Sequence, residues 1–109
     1  MPTIYKVLGQ SNPAATTATT LYTVPAATNT IVSTISVCNQ AATSGTYRIA
    51  IRPAGAALAA QHYIAFDSTI TANNTTMITI GVSLAATDVI TVYASSANMS
   101  FSAFGTEIS

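Results

Sequence analysis

The chain has 109 residues, of which three are Lys or Arg and three are Asp or Glu, so its formal net charge is zero. A soluble domain of this size normally devotes about a quarter of its residues to charged side chains. This composition argues against nucleic-acid binding, which needs clustered Lys and Arg. The absence of an apolar run of roughly 18 residues argues against a membrane partner. We expect a surface of Thr, Ser, Asn and Ala that suits contact with other protein.

Eight β-strands are predicted in chain order, because runs of β-branched and aromatic residues alternate with clusters of turn-forming residues. The predicted strands are residues 3–8, 19–24, 30–38, 46–52, 61–67, 75–82, 89–94 and 99–104. The fourth is the clearest, since Tyr47, Ile49 and Ile51 alternate with polar or small residues. Turns are predicted at residues 9–13, 25–29, 39–45, 53–55, 72–74 and 85–88. A single helical turn is predicted within the alanine-rich residues 54–60.

Strands that recur without intervening helices indicate an all-β fold in one domain, residues 1–109. Eight strands in one layer could not bury their apolar faces, so we expect a two-sheet antiparallel β-sandwich. A jelly roll is one arrangement of this kind, and the sequence leaves the strand order open. Few charges protect the edge strands, so either neighbouring molecules cover the edges or pairing between subunits is their role.

Side chains that could support catalysis or bind a metal are scarce, because the chain has one His, one Cys and three carboxylates. His62 and Asp67 are the closest pair, but their odd spacing places them on opposite faces of a continuous strand. We therefore expect no enzymatic activity, no metal and no cofactor. The alternative is an ion held on a symmetry axis by His62 from several subunits. Cys38 is expected to be a small buried hydrophobe.

Four residues are candidates for an interface between subunits. Arg48 and Arg52 are four apart and so share a strand face, where they are either solvated or anchor a carboxylate of another subunit. Asp67 is one of the few possible partners of such an arginine. His62 is expected to be a hydrogen-bonded histidine at the rim of the core or at an interface.

Several segments resemble small virion structural proteins of tailed bacteriophages, including those of cyanophages. The segments are LYTVPA (residues 21–26), IVSTISVCN (31–39) and YRIAIRPAG (47–55), with YKVLGQ (5–10) and FSAFGTEIS (101–109) at the two ends. In that group one strand ends at Val-Pro, the next ends at Asn, and a Tyr-Arg strand follows. These motifs are structural punctuation and carry no chemical signature.

The resemblance implies a virion component, synthesised in the host cytoplasm, that has no enzymatic activity. The leading hypothesis is a capsid cement or decoration protein that stabilises the head shell through contacts with the major capsid protein or other virion proteins. Homo-oligomers, with trimers favoured, would bridge capsid subunits. The alternative is a structural or receptor-binding module of the tail, neck or fibre, in which Asn73, Asn74 and Asn98 contact polysaccharide.

Overall fold

Eight β-strands make up most of residues 2–109, which are the residues that the computed structural model describes. In chain order they are β1 (Thr3–Ser11), β2 (Thr19–Thr23), β3 (Asn29–Asn39), β4 (Gly45–Arg52), β5 (Tyr63–Ile70), β6 (Thr75–Leu84), β7 (Val89–Ala94) and β8 (Met99–Ile108). Two short 3-10 turns, Pro53–Gly55 and Ala60–His62, lie between β4 and β5. The all-β class and the eight strands predicted from the sequence are confirmed.

The strands form two four-stranded antiparallel sheets. Sheet A has the order β1-β8-β3-β6, and sheet B has the order β2-β7-β4-β5. The pairs β1 with β8, β2 with β7, β3 with β6 and β4 with β5 are nested, as if one long hairpin had been folded into two layers. This is the strand order of a jelly roll, the double-sheet arrangement of eight strands.

The hydrophobic core lies between the sheets and is filled by the inward-facing side chains of the strands of both sheets. In β3 the side chains of Val32, Ile35 and Val37 are fully buried, while the residues between them are at least partly exposed. Phe101 of β8 meets Tyr47 of β4 edge to face, with ring centroids 6.3 Å apart. The period of two, which a bulge between Val32 and Thr34 shifts once in β3, therefore separates the core face of each strand from its outward face.

β1 continues to Ser11, although a turn was predicted from Gly9 onward. The missing side chain of Gly9 explains the difference, because a Cβ at this position would overlap the carbonyl oxygen of Leu21 in β2. The strand thus passes close to the opposite sheet without breaking, and the first part of the predicted turn is wrong. The helical turn predicted within residues 54–60 is also wrong, since two separate 3-10 turns occupy the two ends of that loop.

A polar cluster at one end of the core connects the two sheets. The hydroxyl of Tyr22 in β2 donates to Oε2 of Glu107 in β8, at 2.5 Å, and lies 2.8 Å from the hydroxyl of Thr30 in β3. Lys6 contributes a longer ion pair, with Nζ 3.4 Å from Oε1 of Glu107. Burial, and secondarily the hydrogen bond to Glu107, raise the pKa of Tyr22 to about 12.

The raised pKa of Tyr22 predicts a loss of stability in strong alkali. The phenol keeps its proton in the folded state from its ordinary pKa of 10.0 up to about 12, whereas the unfolded chain releases it near 10. The contribution of the Tyr22 phenol to the free energy of unfolding is therefore complete below pH 10. It is lost as the pH rises toward 12, and the loss is at most about 3 kcal/mol. Urea unfolding at pH 8 to 11.5 should show the free energy of unfolding falling with pH in the wild type, and a shallower slope in Tyr22→Phe.

Tyr47→Phe is the matched control for this alkaline effect, because it removes the hydroxyl of another buried tyrosine and leaves the Tyr22 cluster intact. The slope with pH should be retained in this variant. Equal slopes in the wild type and Tyr22→Phe would contradict the assignment.

Candidate interaction surfaces

The outward face of sheet A, described over residues 2–109, carries no formally charged side chain. Lys6 and Glu107 are the charged residues in the strands of this sheet, and both lie in rows that face sheet B. Lys6 is in register with buried Val32, and Glu107 is in register with buried Thr30. We call the outward side chains of β1, β8, β3 and β6 the uncharged face.

Large apolar side chains project from the uncharged face. Tyr5 is 82% exposed, Met77 is 63% exposed, and Val7 and Ile31 are about half exposed. Phe104 lies in the same row as Val7 and is partly exposed. The remaining outward positions are mostly Thr and Ser. An apolar and hydroxyl-bearing surface without charge is typical of surfaces that become buried against protein.

The dimensions of the uncharged face suit a protein interface. Four strands of nine to eleven residues, at a spacing of about 4.8 Å and a rise of about 3.3 Å per residue, cover roughly 630 Å². A standard interface buries about 800 Å² on each partner, so this face supplies most of that area. A depression of about 420 Å³, lined in part by Ile31, Leu84 and Ile108, lies at one end of the face.

Cys38 lies on the uncharged face and not in the core. It is paired with Ser100 of β8 and Thr75 of β6, both at outward positions, and its side chain is partly exposed. The expectation of a buried residue is wrong, because the inward positions at this end of β3 belong to Val37 and Asn39.

The outward face of sheet B carries a stacked group of aromatic and charged side chains, which we call the Arg48 cluster. The guanidinium of Arg48 lies 4.1 Å from the ring centroid of Phe66 and 4.3 Å from that of Tyr93. The ring of Tyr63 meets that of Phe66 edge-on, at 4.9 Å between centroids. Asp67 accepts two hydrogen bonds from Arg48, from Nε to Oδ1 at 2.7 Å and from Nη2 to Oδ2 at 3.2 Å.

The hydrogen bonds from Arg48 lower the pKa of the Asp67 carboxyl, and those same bonds raise the pKa of the guanidinium. Both groups are therefore charged at neutral pH and compensate each other. By contrast, Phe66 remains 56% exposed, so the cluster presents an apolar ring beside a neutralised ion pair.

A β-bulge brings Phe66 and Asp67 together opposite Arg48. Ala65 pairs with Ile49 and Ser68 pairs with Tyr47, so two residues of β5 oppose one residue of β4. The backbone accommodates the extra residue at Asp67, which has a positive φ of 49°. Strict alternation predicts that neighbours point to opposite faces, and it fails here because the bulge resets the register.

Arg52 and His62 are held by contacts within the chain. Arg52 shares the outward face of β4 with Arg48, as their spacing predicts, and donates to the carbonyl oxygens of Ala56 and Gly55 and to the hydroxyl of Thr91. These bonds fasten the loop after β4 to the sheet. His62 lies in the second 3-10 turn, where its Nδ1 accepts a hydrogen bond from the backbone N–H of Ala59 at 3.0 Å.

His62 is nearly buried and precedes β5, so its predicted position within a strand is wrong. Of the four candidate interface residues, the structure brings Arg48 and Asp67 together and leaves Arg52 and His62 in separate roles. The sequence missed Phe66, Tyr63 and Tyr93 as neighbours of Arg48. A role of the four candidate residues at a subunit interface remains a prediction.

Side chains that could bind a metal ion are few within residues 2–109. In that range no three His, Cys, Asp or Glu side chains come together in a way that could hold a metal ion. None of the helical segments described there has the length and apolar character needed to cross a membrane.

The fold places the chain among eight-stranded jelly-roll sandwiches. Comparisons with protein-family models, curated proteins and solved structures found no match. Jelly rolls occur both in viral capsid proteins and in lectins, and a fold alone does not determine function.

Proposed function

We propose that the chain is a structural protein of a phage virion, a cement or decoration protein that stabilises the head shell. The uncharged face is the observation that carries this proposal. Burying a charge without a partner costs several kcal/mol, and this face can be covered without that cost. Its Thr and Ser side chains also lose little rotamer freedom when they are packed.

Two further points support a virion protein. The jelly roll recurs in viral capsid proteins, and segments of the chain resemble small virion proteins of tailed bacteriophages. The expected partner is the major capsid protein or another virion protein, and the copies are expected to form homo-oligomers, with a trimer favoured. Each added interface of roughly 1,200 to 2,000 Å² would lower the free energy of the assembled shell relative to its separated subunits.

The edge strand β6 offers a second means of contact between copies. It has ten residues, carries no charge, and contains Thr, Ile, Met and Val. Uncharged edge strands of this kind readily pair with another chain. Edge pairing would leave the uncharged face free to meet the shell, so oligomer formation and shell binding can use different surfaces.

The heat stability of phage particles tests the cementing role. Particles that lack the protein should release their DNA at a lower temperature than complete particles, and addition of the purified protein should restore the release temperature. DNA release can be followed with an intercalating dye during heating. Equal release temperatures, or absence of the protein from purified particles by mass spectrometry, would contradict the proposal.

A charge on the uncharged face should prevent this restoration. Thr79 is exposed on this face, in register with Thr34, so Thr79→Lys should weaken binding to depleted particles by at least about tenfold, since the added charge must be desolvated. The matched control is Thr20→Lys, at an exposed position in register with Thr91 on sheet B. Cosedimentation should show binding by the control, and equal binding by both variants would argue against this face.

A second candidate function is a receptor-binding or structural module of the tail, neck or fibre. The exposed ring of Phe66 in the Arg48 cluster favours it. Asn73 and Asn98, which were expected to contact polysaccharide, lie in exposed loops at one end of the sandwich. Asn74 instead uses its side chain within the chain, donating to the hydroxyl of Thr71 and accepting from the N–H of Thr75. Saturable binding of the purified protein to host cells tests this alternative.

A further inference from the structure

The exposed ring of Phe66 packs against two neighbouring side chains. On one side it rests on the guanidinium of Arg48, which is itself fixed by Asp67 and Tyr93. The ring of Tyr63 meets it edge-on, with an interplanar angle of 82°. A rigid aromatic ring loses little conformational entropy when a ligand covers it.

A depression of about 400 Å³ lies beside this ring and is lined by Ala60, Tyr63 and Phe66. This volume is near the lower end of the roughly 300 to 1,000 Å³ of ligand pockets. The depression can hold a ligand of one or two small rings, but it is too small to receive a folded protein.

The charges of the cluster select an uncharged ligand. Arg48 directs two of its nitrogens at Asp67, so an anion would have to compete with an internal carboxylate. A cation would approach Phe66 beside a guanidinium that already occupies one side of the ring. The ion pair thus disfavours ligands of either sign.

Asp67 does not line the depression but follows Phe66 in β5 and shares its neighbour Arg48, and it retains hydrogen-bonding capacity toward a ligand that extends beyond the ring. Each carboxylate oxygen has a second acceptor position beyond its bond to Arg48, and the side chain is 45% exposed. Neighbouring hydroxyl groups of a ligand can donate to these positions. Because the bonds from Arg48 lower the pKa of this carboxyl, it remains an acceptor in mildly acidic solution.

A ligand with an apolar face of C–H groups and hydroxyl donors at its rim meets these requirements, and a pyranose sugar has this form. We propose that Phe66, Tyr63 and Asp67 form a binding site for a neutral saccharide, in which the sugar ring stacks on Phe66 and its hydroxyls donate to Asp67. The site is independent of the virion role proposed above and holds wherever the protein resides.

Nuclear magnetic resonance titration tests the site, with D-glucose, D-galactose, D-mannose and N-acetyl-D-glucosamine as probes. Millimolar affinity is expected, with amide shifts confined to the surroundings of Ala60, Tyr63 and Phe66. An array of neutral and charged glycans extends the test to longer chains. Binding only to charged glycans, or no binding to any neutral glycan in either experiment, would overturn the proposal.

Substitutions at Phe66 separate ring stacking from general apolar contact. Phe66→Tyr should retain the affinity, whereas Phe66→Leu keeps apolar bulk without a flat ring and should bind at least about tenfold more weakly. Asp67→Asn should weaken binding by a similar factor. Phe104→Leu on the uncharged face is the matched control and should bind as the wild type does. Equal affinities of Phe66→Leu and the wild type would refute stacking on this ring.

Discussion

Gly105→Ala is expected to destabilise the protein by about 4 kcal/mol or more, which is a large part of the roughly 5 to 15 kcal/mol that stabilises a domain. Gly105 lies in β8 between β1 and β3. A Cβ there would overlap the carbonyl oxygen of Ile31 and lie 3.0 Å from the Cα of Val32. Both obstacles belong to the backbone, so no side-chain rotation relieves them. The strands of sheet A would have to separate at this point.

Gly81→Ala is the matched control, because nothing lies within 4 Å of a Cβ at that position. Gly81 has a positive φ of 56°, so the substitution should cost only about 1 to 2 kcal/mol of backbone strain. Chemical denaturation followed by circular dichroism measures both variants. Similar denaturation midpoints for the two variants would show that the close backbone approach at Gly105 does not make an alanine there strongly destabilising.

Asn39→Asp is expected to destabilise the protein by about 3 kcal/mol or more. The Asn39 side chain is almost fully buried, and its Nδ2 lies 3.0, 3.4 and 3.2 Å from the carbonyl oxygens of Thr43, Ile70 and Thr71. A carboxylate would place an acceptor with negative charge against these three acceptors, in a buried position. The loops after β3 and β5, which Asn39 joins, should separate first.

The destabilisation caused by Asn39→Asp should decrease as the pH is lowered from 7 to 5, because a protonated carboxyl can donate one hydrogen bond. Asn74→Asp is the matched control, since Asn74 is exposed at the same end of the sandwich and should change stability by less than about 1 kcal/mol. Denaturant unfolding at both pH values measures these effects. A constant difference between Asn39→Asp and the wild type from pH 7 to 5 would contradict the proposed repulsion.

The sequence predicted all eight strands because alternation is a local property that each strand carries by itself. Tyr47, Ile49 and Ile51 illustrate this, since their spacing alone identified the inward face of β4. The pairing of strands depends on contacts between distant segments, so the sequence leaves it open. The predicted end of β1 is wrong for a related reason: glycine is a common turn residue, but Gly9 instead allows a close approach to Leu21.

The candidate surfaces were predictable only in part. The low charge of the chain indicates a surface suited to contact, but the absence of charged side chains from one face, within the part of the chain that the structure describes, follows from the inward rows that hold Lys6 and Glu107. Arg48 and Asp67 were both named from the sequence. Their stacking with Phe66 depends on the bulge in β5, which has no local sequence signal because it arises from the pairing with β4.

The nested order of the strands has a consequence for how the protein is made. β1 has β8 as its ladder partner in sheet A, and Thr3 pairs with Ile108 near the other end of the chain. During translation the first strand must therefore wait, unpaired, until the last one has left the ribosome. Newly made chains should depend on chaperones over this interval, and folding should be slow because its closing step joins segments so distant in sequence.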